Sequence, residues 1–121
     1  MNTVCIIELE HIGNVQVLKI SGKLDAISSH EAEKQARELI QPHRADVLLD
    51  FADVHYVSSA GMRMLLSVYK HVLEHTGRLA VCSLADEIRG ILKMSGFEGV
   101  ISVYSDRTKA LDSFAQNPLP D

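Results

Sequence analysis

The chain has 121 residues, 46% of them hydrophobic, and a formal charge of −4. That suffices for one domain with a real core and excludes a disordered chain. The 12 Lys and Arg are scattered singly among 16 Asp and Glu, which excludes the basic footprint of a nucleic-acid binder and leaves a protein partner or a small ligand.

Met1 to Glu10 lacks the basic start, apolar run and small-residue cleavage site of a signal peptide. No apolar stretch approaches the ~20 residues needed to span a bilayer. A cytoplasmic protein without membrane insertion is expected, monomeric when free. Cys5 and Cys82 lie in apolar, strand-like segments and read as buried free thiols in a reducing compartment, not as a disulfide or metal site.

Cys5, Ile7 and Leu9 alternate with Ile6, Glu8 and Glu10, the period of a half-buried strand. Gly13-Asn14 supplies a tight turn, and Val15 to Ile20 returns as a second strand, so the chain opens with an antiparallel hairpin. Ser21 to Asp25 reads as a connecting loop. A first helix starts near Ser28, which has capping-box spacing to Glu31. It carries Ala32, Ala36, Leu39 and Ile40 as an apolar stripe, and Pro42 ends it.

Val47 to Asp50 is an apolar run typical of a strand covered on both faces. A short polar turn then leads into a helix over about Ala60 to Thr76, with Met62, Leu65, Leu66, Tyr69, Val72 and Leu73 inward and Gly77 as its stop. Leu79 to Cys82 forms the next strand. Asp86 to Met94 reads as a helix with Ile88, Ile91 and Leu92 inward. Val100 to Val103 and Asp106 to Ala115 give a last strand and a last helix. Hairpin followed by alternating helices and strands implies an α/β fold, a mixed sheet flanked by about four helices. Residues 1–116 make the domain and 117–121 a short tail.

The segment Asp50-Phe-Ala-Asp-Val-His-Tyr-Val-Ser-Ser-Ala-Gly-Met-Arg-Met-Leu-Leu66 is the informative one. It sets Ser58 and Ser59 at a helix N-terminus, where free N–H groups and the dipole favour negative charge. A phosphate on Ser59 is tolerated there and changes the charge of the surface around it. Ser59 also reads simply as the helix N-cap. Arg63 and Met64 lie off the expected core stripe, and a Met beside an Arg suits a contact surface. Asp25 reads either as a turn or cap residue or as part of that surface.

Four pieces in order resemble the STAS domains, and among them the stand-alone bacterial anti-sigma factor antagonists. They are Gly22-Lys-Leu-Asp25, Leu48-Leu-Asp-Phe-Ala-Asp-Val54, Val57-Ser-Ser-Ala-Gly-Met62 and Lys93-Met-Ser-Gly-Phe97. The resemblance implies a non-enzymatic, cytoplasmic switch protein with no cofactor of its own. Its unphosphorylated form binds an anti-sigma factor that is also a serine kinase, Mg-ATP phosphorylation on the serine two before Gly61 ends binding, and a PP2C-type phosphatase resets it. That serine is Ser59, with Ser58 the alternative acceptor. Many family members carry Asp and Ser or Thr on either side of it, where this chain has Ser58 and Ala60. The implied partner surface comprises Asp25, Ser58, Ser59, Met62, Arg63 and Met64, with Asp50 expected at the same end of the sheet.

Two other readings stand beside this one. In the first, the same domain docks to a transporter or sensory complex with no phosphoswitch. In the second, His71-Val-Leu-Glu-His75 matches a metalloprotease pattern, so His71, Glu74 and His75 would make a small zinc hydrolase. A third ligand has no evident position in the sequence. A serine nucleophile elbow is excluded, because Val57 stands where the first glycine is needed, and no Walker-type phosphate loop is present.

Overall fold

The computed structural model describes residues 5–41 and 45–118. Pro42, expected to end the first helix, and the end of the tail lie outside these residues. The elements run β1 (Cys5–Ile12), β2 (Val15–Leu24), α1 (Ser28–Leu39), β3 (Asp46–Val57), α2 (Ser59–Glu74), β4 (Arg78–Cys82), α3 (Asp86–Met94), a 3-10 turn (Phe97–Gly99), β5 (Ser102–Tyr104) and α4 (Arg107–Gln116). The sheet order is β1-β2-β3-β4-β5. β1 is antiparallel to β2, and β2, β3, β4 and β5 run parallel. The fold is therefore α/β with a mixed sheet opened by a hairpin, as the element order implied.

Two hydrophobic clusters cover the two sheet faces. The larger joins Leu18, Ile20, Val47, Leu49, Phe51 and Val81 to Ala32 and Ala36 of α1, Leu65 and Val68 of α2, and Ile88 and Leu92 of α3. The smaller packs Val17, Leu48, Ala80 and Cys82 against Ala110 and Phe114 of α4. Val47, Leu48 and Leu49 are fully buried because successive residues of a strand covered on both faces enter opposite clusters.

Three departures from the sequence reading bear on function. First, Ser21 to Leu24 is strand, not loop: Gly22 pairs with Cys5 on one side and Val54 on the other. Second, β3 continues past Asp50 to Val57. Beyond Asp50 it pairs with β2 alone, since the β4 pairing stops at Asp50–Cys82. Register shifts between Lys19 and Ser21 and between Gly22 and Lys23 replace simple alternation in β3 by the burial order Val54 in, His55 and Tyr56 out, Val57 in. The β2–β3 pair thus extends past β4 and β5, with Leu24 and Val57 side by side at its tip. Third, Ile91, expected inside, is 41% exposed, and the last strand, expected from Val100, begins at Ser102.

The end of α2 also differs. Thr76, not Gly77, takes the left-handed conformation, with φ 59°. Thr76 donates to the carbonyl of Leu73 and Gly77 to that of Val72, both at 2.9 Å, the paired bonds of a Schellman close. Gly77 is needed for a different reason: a Cβ there would lie 2.4 Å from the carbonyl oxygen of Ala45.

Candidate functional site

The tip of the β2–β3 pair is built by hydrogen bonds that the polar residues at Asp25, Ser28 and Ser58 supply. Asp25 Oδ1 accepts from the N–H of Ile27 at 3.0 Å, the N–H of Ser28 at 2.8 Å and the hydroxyl of Ser28. The Ser28 hydroxyl also lies 2.5 Å from the carbonyl of Lys23 and 3.0 Å from the N–H of Asp25. Asp25 therefore caps α1, in place of the expected Ser28–Glu31 box. The aspartate reaches the free N–H groups first because it sits just outside the helix, whereas Ser28 is already helical.

Beside this turn in space, the N–H of Ser58 donates to the carbonyl of Leu24 at 2.8 Å. Ser58 is the N-cap of α2: its backbone is extended and its hydroxyl accepts the N–H of Gly61 at 3.2 Å. Ser59, read as a cap in one sequence reading, is instead the first helical residue, and it is exposed. The tandem serines are thus unlike. Ser58 is half-buried with its hydroxyl engaged, while Ser59 faces solvent at the positive end of a helix that has no acidic residue in its first turn. Gly61 is required by close approach, since a Cβ on it would stand 2.8 Å from the Leu24 carbonyl and from Val57 Cγ1.

The other expected surface residues separate. Arg63 is exposed. Met64 is 1% exposed and belongs to the core, which corrects the reading of it as a contact residue. Met62, at 7% exposed, is likewise a core side chain and has little surface to offer a partner. The stripe of α2 is wider than expected: Met62, Met64, Leu65, Val68 and Val72 are buried, because the helix is flanked by α1 as well as seated on the sheet. The same rotation leaves Leu66 and Tyr69 half-buried and turns Leu73 out to 46% exposure.

The STAS domain profile matches residues 7–110. The chain belongs to the STAS domain family. Among relatives of this STAS domain, the anti-sigma F factor antagonist of Paenibacillus polymyxa is 29% identical over 106 residues, covering 87% of this chain and 91% of that protein. Of solved structures, an anti-sigma factor antagonist from Mycobacterium paratuberculosis aligns with TM-score 0.82 at 19% identity, over 91% of this chain and 93% of that one. The Bacillus cell fate determinant SpoIIAA in its phosphorylated form aligns with TM-score 0.64 at 15% identity, over 89% of this chain and 98% of that one. At such identities the structures speak for the fold.

Asp50 is not at the serine end of this STAS domain, contrary to expectation. It is 5% exposed and lies on the α4 face. Arg107 Nη2 meets its Oδ2 at 2.9 Å, and Arg107 Nη1 reaches Glu10 Oε1 at 3.0 Å. The hydrogen bonds that Arg107 donates to Asp50, and then to Glu10, raise the pKa of its guanidinium, with burial opposing. Between its pairings with Asp50 and Val57, β2 advances from Lys19 to Leu24, about 17 Å of strand, and that length sets Asp50 apart from Ser58. Arg107 thereby ties α4 to β1 and β3.

His71 and His75 lie near the far end of α2. Their ring centroids are 4.6 Å apart, and His75 Nδ1 lies 2.8 Å from the carbonyl of His71, to which its N–H donates. Burial, then the nearby Arg37 and His75, push His71 below its ordinary value, with Glu74 opposing. Among the described residues no group of three or more His, Cys, Asp or Glu is placed to hold a metal ion, so the third ligand of the hydrolase reading is not assembled there. No helix among the described residues is long and apolar enough to cross a membrane.

One residue of the tip escaped the sequence reading. Ile27 is 79% exposed, between the Asp25 turn and the first residue of α1. Its signal was an isoleucine out of step with the Ala32, Ala36, Ile40 stripe.

Proposed function

We propose that this protein is an anti-sigma factor antagonist working by partner switching, with Ser59 as its phosphoacceptor. The observation that carries the reading is the contrast between the two serines. Ser58 is fixed as the cap, and Ser59 is exposed one residue on, at an N-terminus free of acidic side chains. The names of its curated relatives support the anti-sigma role.

In this mechanism the unphosphorylated tip, Asp25, Ser58, Ser59 and Arg63, docks on an anti-sigma factor that is also a serine kinase. Ser59 Oγ attacks the γ-phosphorus of Mg-ATP held by the kinase. The bond from that phosphorus to the β,γ-bridging oxygen breaks, ADP leaves, and the hydroxyl proton passes to a base on the kinase. The helix N-terminus tolerates the product, which carries about −1.5 to −2 charge at neutral pH.

Binding ends because the partner must then desolvate that charge in a close interface. A buried, unpaired charge costs roughly 2–5 kcal/mol of affinity, enough for an on/off change. Asp25 is a fixed carboxylate that follows Leu24, whose carbonyl holds Ser58. Asp50 takes no part. A PP2C-type phosphatase hydrolyses the ester and restores the binding form.

The test is binding of three proteins to the kinase that modifies this chain. Ser59→Ala is expected to bind as wild type and to stay bound in Mg-ATP, while Ser59→Asp binds at least tenfold more weakly. Wild-type affinity of the Asp variant would overturn the reading and leave a docking role without a switch.

A further inference from the structure

Single exposed apolar side chains are ordinary on a protein surface, but Ile27 is held in an unusual way. Its own N–H donates to Asp25 Oδ1 at 3.0 Å, and the next N–H donates to the same oxygen at 2.8 Å. The Ser28 hydroxyl ties the turn to Lys23 at the end of β2. The turn is therefore rigid on both sides of a residue that is 79% exposed, and a β-branched side chain has few rotamers to lose on binding.

Its position relative to Ser59 follows from the helix pairing. α1 and α2 both start at the tips of parallel strands and run side by side, with Arg37 Nη1 of α1 at 3.3 Å from Ser67 Oγ of α2. The bond from the Ser58 N–H to the Leu24 carbonyl at 2.8 Å fastens the residue before Ser59 to the chain three residues before Ile27, so both belong to the same tip. Among the described residues, the other exposed large hydrophobics are Ile6 on β1, Tyr56 on β3 beside Lys23 at the tip, Leu73 at the far end of α2, Ile91 and Met94 on α3, and Val100.

We infer that Ile27 is the apolar anchor of the surface that presents Ser59, seating in an apolar recess on the kinase beside its bound nucleotide. This rests on the switch reading above and adds to it a recognition residue. A preorganised apolar side chain next to a reacting hydroxyl supplies docking energy without ordering cost, and docking energy at a distance from the reacting atoms brings the hydroxyl into line.

The experiment compares phosphorylation of wild type, Ile27→Ser, Ile27→Leu and Leu73→Ser by the kinase fraction that modifies wild type. The protein concentration is varied at saturating Mg-ATP. Ile27→Ser is expected to need at least tenfold more protein for half-maximal rate, the loss typical of an interface anchor. Ile27→Leu and Leu73→Ser should stay within about twofold, and all four should melt alike because both sites are exposed. Equal half-saturation for wild type and Ile27→Ser overturns the anchor while leaving the switch intact. Failure of wild type to take phosphate at all overturns the switch, and the anchor with it.

Discussion

Ser58 donates its backbone N–H to the carbonyl of Leu24 at 2.8 Å, so the start of α2 is fastened to the end of β2 beside Asp25. The site is a junction of two strand tips and two helix starts. Its stability and its exposed serine are consequences of the same few hydrogen bonds.

Gly61 is the tightest point of that junction. Gly61→Ala places a Cβ 2.8 Å from the Leu24 carbonyl, and backbone has little room to give. The expected loss is about 1–3 kcal/mol in a urea melt, in line with overpacked cores. Because the first turn must move, phosphorylation of Ser59 should also slow. An unchanged midpoint would show that the junction is looser than described.

Ser58 acts on stability through its cap. Ser58→Ala should cost about 1 kcal/mol, within the 0.5–2 range of lost N-caps, while Ser58→Asp should retain the cap. Denaturant midpoints with unchanged slopes would check this. Equal stability of the Ala variant and wild type would deny Ser58 the capping role.

On the opposite face, Arg107 neutralises buried Asp50. Arg107→Ala strands that carboxylate and should destabilise by roughly 2–4 kcal/mol, below the cost of a fully buried pair because Arg107 is partly exposed. Adding Asp50→Asn should recover part of the loss. Binding through the Ser59 surface should be unaffected in whatever fraction remains folded.

Burial pushes the Cys82 thiol from near 9 up to about 11, with Asp50 and Asp106 adding to it and Ser83 and Arg107 opposing. Between those values the unfolded chain releases this proton and the folded chain keeps it. The folded state then binds more protons, so stability falls as pH rises from about 9 to 11. A Cys82→Ala variant should lose stability less steeply in that window, as read from urea midpoints. Cys82 should also react with a thiol reagent only after unfolding.

Much of this fold was legible from period and punctuation. The hairpin, the alternation of helices and strands, and α3 from Asp86 to Met94 all follow from local pattern. What failed was set by partners distant in sequence. β3 beyond Asp50 looked like a turn because Ala52, Asp53, His55 and Tyr56 are exposed, and only pairing with the bulged β2 makes that stretch a strand. Met64 looked external because a narrow stripe was assumed, yet α1 lies against α2 and widens it. Asp50 and Arg107 are fifty-seven residues apart, and no local signal joins them.

The site was legible in its residue types but not in their roles. Two adjacent serines both satisfy the sequence rule for a cap, and the extended backbone of Ser58 decides between them. Asp25 was weighed as a cap or a contact, and its bonds to Ile27 and Ser28 make it a cap. Ile27 stands out of step with the Ala32, Ala36, Ile40 stripe, but its exposure could not be read from a residue ahead of the helix.

The central claim is that Ser59 receives the phosphate. Purified protein incubated in source-cell lysate with Mg-ATP, followed by peptide mass spectrometry, tests it directly. Phosphate is expected on Ser59, dependent on added ATP and absent from Ser59→Ala. Phosphate on Ser58 instead, or on neither serine while the lysate phosphorylates a control substrate, would contradict it.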